Sequence, residues 1–469
     1  MMTGSPKRDA YGADPSPGHR RRWRRLLAPL ALASTVALTA TACAGAGSFT
    51  DGGSEAVTIA LVSNSQMTDA ISLSPQFEKE NPGIKLKFVT LSENEARAKI
   101  TASVATGGGE FDVVMISNYE TATWAENGWL VNLTPYMVSS PGYDQDDFIP
   151  TLREALSYEG NMYSAPFYGE SSFLMYNKQM LADAGITMPA EPTWPEVQEA
   201  AKKLNTDGVS GICLRGKPGW GETLAPLDTV INAFGGRWFD EDWNAQLDSP
   251  QVKEAVQFYV DTVRQYGEPG AASTGFQECA NLMSQGQVAM WYDATSAVSV
   301  LESPEDSNIA GNVGYSMAPS MAKGDNGWLY AWSLGIPESS KKKDDAWKFI
   351  EWMTSKDYIK TVAEQLGAAS VPPGSRLSTY DLPQYKEISG AFAEPTLNAM
   401  QSADQTKPTV DPVPYTGIQF LAIPEFQDFG TRVSQQISAA IAGQITVDEA
   451  LEQSQKYAEV VGESYKKEQ

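Results

Sequence analysis

Three short apolar runs separated by two helical patterns constrain this chain more than anything else in it. "AVTIALV" (56–62), "IKLKFVT" (84–90) and "FDVVMIS" (111–117) read as strands, the first and third buried throughout and the second alternating. A helical stretch ending near "KENPGI" lies between the first two. "SENEARAKITASVATGG" lies between the second and third, with a Ser/Glu capping pattern and an amphipathic period. A β-α-β-α-β opening predicts a parallel sheet with right-handed crossovers. Ligands of such sheets bind beyond the carboxyl ends of the strands, where Ser63–Asn64 and Asn118–Tyr119 fall.

A second α/β unit follows. "TWPEVQEAAKKLN" carries a Thr193 cap and Pro195 in its first turn, "VSGICLR" reads as a buried strand, and "SPQVKEAVQFYVDTVRQYG" as a capped helix. "GQVAMWYDATSA" reads as a strand entering a polar helix start, and "GWLYAWSLGIP" as a strand returning to the first unit. "KKKDDAWKFIEWMTS" is a helix, and the last hundred residues are mainly helical, ending in "TVDEALEQSQKYAEVVGESYKK". A chain that leaves one lobe, builds another and returns predicts two α/β lobes of parallel type joined by several crossing strands, with a mainly helical C-terminal part. The expected division is residues 56–168 with 322–365 for the first lobe, and 169–321 with 366–469 for the second.

Residues 1–42 have the layout of a secretory signal: the basic run "HRRRWRR", an apolar stretch from Leu26 to Leu38, then small residues up to Cys43. The apolar stretch is too short and Ala-rich for a membrane span. The adjacent arginines fit either a general basic n-region or twin-arginine export. Cys43 follows "LTATA", a pattern resembling the lipobox of bacterial lipoproteins, although Ala40 stands where that pattern prefers Leu. Acylation of Cys43 is expected, with residues 43–55 as a Gly/Ser/Ala tether.

Removing the leader changes the chemistry on offer. It carries seven Lys/Arg and two Asp/Glu, so the net charge moves from −23 to −28, and His19, the only histidine, goes with it. A mature chain without histidine holds no Ser-His-Asp triad and no His metal site. So negative a chain is a poor partner for nucleic acid. No Cys or Asp spacing suggests a metal, and no cofactor is expected. "GICLRGKP" falls one letter short of a phosphate loop, because Pro218 supplies neither the hydroxyl nor an N–H. Cys213 and Cys279 remain, and an oxidising compartment favours their pairing.

The stretch "PFYGESSFLMYNKQM" (166–180) puts Glu170 between an aromatic and two serines within an otherwise apolar strand. Together with "FDVVMISNYETATWAENGWLVNLTPY", "GQVAMWYD" and "GWLYAWSLGIP", it resembles the extracellular solute-binding proteins of carbohydrate ABC importers, along essentially the whole mature chain. "GICLRGKPGWGE", "FGGRWFDEDWNAQLDSP" and "WYDATSA" are similar to the sorbitol/mannitol-binding members of that group. The resemblance implies a hinge crossing at 166–177, with Tyr168 and Glu170 on a cleft floor.

It also implies that the ligand is a polyol or sugar, that permease subunits are partners, and that the protein is exported and lipid-anchored outside the cytoplasmic membrane. The membrane is met through that anchor alone, and a monomer is expected. Ligand contacts are expected from Asn64, Asn118, Tyr119, Tyr168, Glu170, Arg215, Trp220, Asp293 and Trp332. Asp293 is alternatively a helix N-cap, and Arg215 alternatively half of a structural bridge. Tyr415 and Gln419 are weaker candidates, while Trp328, Trp347 and Trp352 are assigned to packing. Two further readings stay open: a mono- or oligosaccharide ligand, and an exported glycosidase using paired carboxylates.

Overall fold

The structure, a computed structural model, describes residues 56–467 apart from 325. The expected signal, the tether and Cys43 lie outside the described residues. The strands that frame the site are β1 (Ala56–Val62), β2 (Lys85–Leu91), β3 (Val113–Ser117), β4 (Ser164–Glu170), β5 (Ser172–Asn177), β6 (Met290–Ala294), β7 (Val313–Met317) and β8 (Tyr330–Gly335). Helices α1 (Ser65–Glu80), α2 (Glu93–Ala105) and α3 (Asn118–Glu126) follow the first three strands.

The opening βαβαβ unit forms as its periodicity predicts. β1 runs parallel to β2 from Ala56↔Lys85 to Val62↔Leu91, and parallel to β3 at Ile59↔Val113. α2 buries Ala96, Ile100 and Val104, one residue per turn, and Arg97 beside them. α3 starts with a capping box in which Ser117 and Glu120 satisfy each other's backbone and side-chain groups. The returning β8 inserts antiparallel between β3 and β4, pairing Trp332 with Ser117 on one side and with Tyr168 on the other. The first-lobe sheet therefore has the order β2-β1-β3-β8-β4 and is mixed.

The second lobe departs from the parallel arrangement expected of it. Its sheet is β6-β5-β7, antiparallel throughout. "VSGICLR" is not a strand but makes isolated bridges, Ser210 to Val288 and Cys213 to Trp291. The cause is local: the Gly211 and Ile212 N–H groups both donate to the Tyr266 carbonyl, drawing the backbone off a ladder. A side chain at Gly211 would strike the Ala201 carbonyl at 2.0 Å. A disulfide joins Cys213 to Cys279, Cα–Cα 5.8 Å, and ties this segment to the helix Phe276–Ser284.

Ser171 is the turning point between the two sheets: Glu170 ends β4 in one, and Ser172 starts β5 in the other. The crossing is pinned where the Thr295 N–H donates to the Ser171 carbonyl at 2.8 Å. Gly169 is required here, because a Cβ would meet Leu152 at 2.3 Å and the Gly374 carbonyl at 3.1 Å. The chain after Gln365 does not pass straight to the second lobe. Residues 373–378 pack on the first: the Gly169 N–H donates to Pro373, the Ile149 N–H to Ser375, and the fully buried Arg376 to the Thr354 carbonyl at 2.9 Å. The expected boundary at 366 is therefore too early, since Arg376 must reach first-lobe acceptors. The helices Phe426–Ile441 and Val447–Lys466 pack on Pro250–Tyr266 of the second lobe.

Candidate functional site

A cleft of about 840 Å³ opens between the lobes at the carboxyl ends of β1 and β4. Asn64, at the end of β1, caps α1 by accepting from the Met67 N–H at 2.9 Å, and its Nδ2 donates to the Tyr168 hydroxyl at 3.0 Å. Each polar group thereby orients the other on the cleft wall. Trp332 from β8 and Glu170 from the end of β4 line the same cleft.

Burial pushes the Glu170 carboxyl up to about 8, although a Ser296 hydrogen bond and the positive charge of Arg215 oppose the shift. Burial thus favours the protonated Glu170 carboxyl, which can donate as well as accept. On the second-lobe side, Arg215 spends its fork on Asp293: Nε donates to Oδ2 at 2.8 Å, Nη2 donates to Oδ1, and Nη1 donates to the Gly221 carbonyl at 3.0 Å. Burial works against the Arg215 charge, and Asp293, Glu222 and Glu93 together more than offset it, so the group stays a cation. Burial also raises the Glu222 carboxyl, reinforced by Glu93 and opposed by Arg215 and Lys217.

Of the expected contacts, Asn64, Tyr168, Glu170, Arg215 and Trp332 line the cleft together. The other four stand behind it. The Asn118 Oδ1 accepts from the Ala331 N–H at 3.0 Å, which braces β8. The Tyr119 hydroxyl donates to Gln419 at 2.9 Å. Trp220 lies against Arg97 and Phe420. Asp293 is fully buried and saturated, accepting from Arg215, from Trp291 Nε1 at 3.0 Å and from its neighbour's N–H at 2.7 Å. It is the Arg215 bridge partner, not the N-cap, a place taken by Ala294.

Gln419 lines the cleft, whereas Tyr415 accepts from the Trp238 N–H away from it. Trp328, assigned to packing, reaches the cleft wall; Trp347 and Trp352 pack in aromatic clusters as expected. Sequence reasoning missed Arg97, Glu93, Tyr330, Phe276 and Phe420. The i,i+4 spacing of Glu93 and Arg97 was the one signal available, and it marks surface pairs as often as sites.

The lining holds seven carboxyl side chains against three cations, Arg97, Arg215 and Lys217. An anionic ligand is disfavoured there. Among the described residues no group of His, Cys, Asp or Glu side chains could hold a metal ion.

Two α/β lobes around a polar and aromatic cleft define a ligand-capturing protein. The chain belongs to the bacterial extracellular solute-binding protein family, whose model matches residues 64–360. It is 44% identical over 408 residues to a mannitol-binding protein of Pseudomonas aeruginosa, covering 86% of this chain and 92% of the relative. A solved ABC-transporter solute-binding protein of Agrobacterium vitis with bound D-mannitol superimposes with a TM-score of 0.85 at 47% identity, covering 88% of this chain and 99% of that one. A ribitol complex from Agrobacterium radiobacter shares the fold at TM-score 0.76 and 22% identity, over 87% and 98% of the two chains.

Proposed function

We propose that this protein captures an extended polyol of the mannitol or sorbitol kind between its lobes and delivers it to the permease subunits of an ABC importer. The observation that carries this reading is the state of the charges in the cleft. The charge of Arg215 is matched by Asp293, and burial shifts Glu170 toward its neutral form. The donors and acceptors of Asn64, Tyr168, Glu170 and the paired Arg215, interleaved with Trp328, Tyr330 and Trp332, suit a ligand with a hydroxyl on every carbon and apolar C–H faces. The D-mannitol held by the 47%-identical Agrobacterium vitis protein supports the same ligand class.

In this account Asn64, Tyr168, Glu170, Arg215 and Trp332 touch the ligand, while Asn118, Tyr119, Trp220 and Asp293 hold the contact residues in place. Ligand closes the lobes by contacting both, a hinge motion whose equilibrium it shifts. The protein works without turnover, as an exported monomer tethered to the outer face of the cytoplasmic membrane through lipidated Cys43. A thermal-shift panel of hexitols, pentitols, hexoses and disaccharides tests the reading. Stabilisation by hexitols ahead of disaccharides is expected, and stabilisation by disaccharides alone would replace the polyol with an oligosaccharide. Release of phenol from aryl glycosides would replace capture with catalysis.

A further inference from the structure

Arg97 stands on α2 of the first lobe, yet its guanidinium is held from both lobes. Its Cζ lies 4.2 Å from the ring centre of Trp220, from the second lobe, and 4.7 Å from that of Trp332 on β8. The edge of the fork is occupied: Nη1 donates to Glu120 at 2.9 Å, Nε and Nη2 donate to Glu93 at 3.1 and 2.9 Å, and Nη2 also donates to the Tyr330 hydroxyl. Fixing the edge leaves the two faces for aromatic rings, a geometry that Lys cannot copy.

The second lobe is cut to receive this group. A Cβ at Gly221 would come within 2.5 Å of Glu93 Oε1 and 3.0 Å of Arg97 Nε. Gly219, at φ +142°, would strike the Asn94 side chain at 2.6 Å, and Asn94 Nδ2 donates to the Pro218 carbonyl at 3.3 Å. Trp220 packs in turn against Phe420 and Phe426, with ring centres 4.8 and 6.1 Å away.

We propose that Arg97 is the closure clamp of the cleft: it walls the ligand and, by stacking on Trp220, holds the two lobes together, setting how long the ligand stays. This rests on the assignment of the cleft as the polyol site. The contact joins groups of different lobes, so parting the lobes at this point requires breaking it. Its loss therefore speeds ligand departure and leaves capture by the open form unchanged.

The test compares wild type with Trp220→Ala and Trp220→Phe by stopped-flow binding of D-mannitol. Both variants leave the hydrogen bonds of Arg97 intact, so neither strands its carboxylate partners. Trp220→Ala should raise the dissociation rate about tenfold with the association rate within about twofold of wild type, and Trp220→Phe should recover part of the loss. An unchanged dissociation rate, or a loss carried by association, overturns the clamp. If wild type itself binds no hexitol, the polyol assignment fails separately. The clamp is then read from spin-label distances between exposed Lys87 and Gln251, one on each lobe. Trp220→Ala should shift these to longer separations than wild type and Trp220→Phe, and superimposable distributions overturn it.

Discussion

Arg215 and Asp293 face each other as fork to fork beneath the cleft, with Nε 2.8 Å from Oδ2 and neither side chain more than 5% exposed. A bidentate pair so far from water fixes the Arg215 cation in the cleft lining, and each partner depends on the other for its charge to be tolerable.

Asp293→Ala should therefore behave as a stability mutation first. Leaving Arg215 buried without its partner costs about 3–5 kcal/mol, and ligand affinity falls as the guanidinium loses its orientation. Urea unfolding without ligand checks this. A variant of native stability with only its affinity reduced would mean that Asp293 meets the ligand directly.

Glu170 gives a pH dependence with a definite sign. Its folded pKa, about 8, lies above the ordinary value of 4.5. Between those values the unfolded chain releases a proton that the folded chain keeps, so this group's contribution to stability falls as pH rises through that window. Glu170→Gln should gain on wild type in thermal stability from pH 5 to pH 8, with no further change well above it. Arg215, Asp293, Glu93 and Ser296 surround the carboxyl in both measurements, so the comparison isolates one titration. A wild-type-minus-variant difference flat across that range would contradict the neutral Glu170.

The disulfide closes a separation of 66 residues, and the chain-entropy model gives it about 4 kcal/mol. The double variant Cys213→Ala/Cys279→Ala should unfold at clearly lower urea than wild type, and reduction of wild type should approach the same midpoint. Two reactive thiols in unfolded, unreduced protein would rule out the bridge.

Cys43→Ala should move the protein from the membrane fraction to the soluble fraction. A diacylglyceryl group places two chains in the bilayer at about 0.8 kcal/mol per buried CH₂, enough for stable anchoring. Retention of the variant in the membrane at wild-type level would refute lipidation at this cysteine.

The sequence revealed most where periodicity and position coincide. β1, β2 and β3 announce themselves by buried and alternating runs, Asn64 by lying at a strand end that the fold turns toward the cleft, and Glu170 by standing between an aromatic and two serines in an apolar strand. It failed where a polar residue's partner is remote. Asn118 sits where a contact belongs, but the Ala331 N–H takes its oxygen. Asp293 looked like an acceptor for ligand until Arg215 and Trp291 Nε1 filled it. The antiparallel second sheet was hidden because "VSGICLR" has the composition of a strand, while the Tyr266 carbonyl takes the Gly211 and Ile212 N–H groups. The Arg97–Trp220 stack joins two lobes and has no local sequence signature at all.

Titration calorimetry with D-mannitol, D-sorbitol and maltose on the mature wild-type protein tests the central claim most directly. One hexitol site per chain with a dissociation constant near 1 μM, about −8 kcal/mol, and much weaker maltose binding are expected. Tight maltose binding with no heat from either hexitol would contradict it.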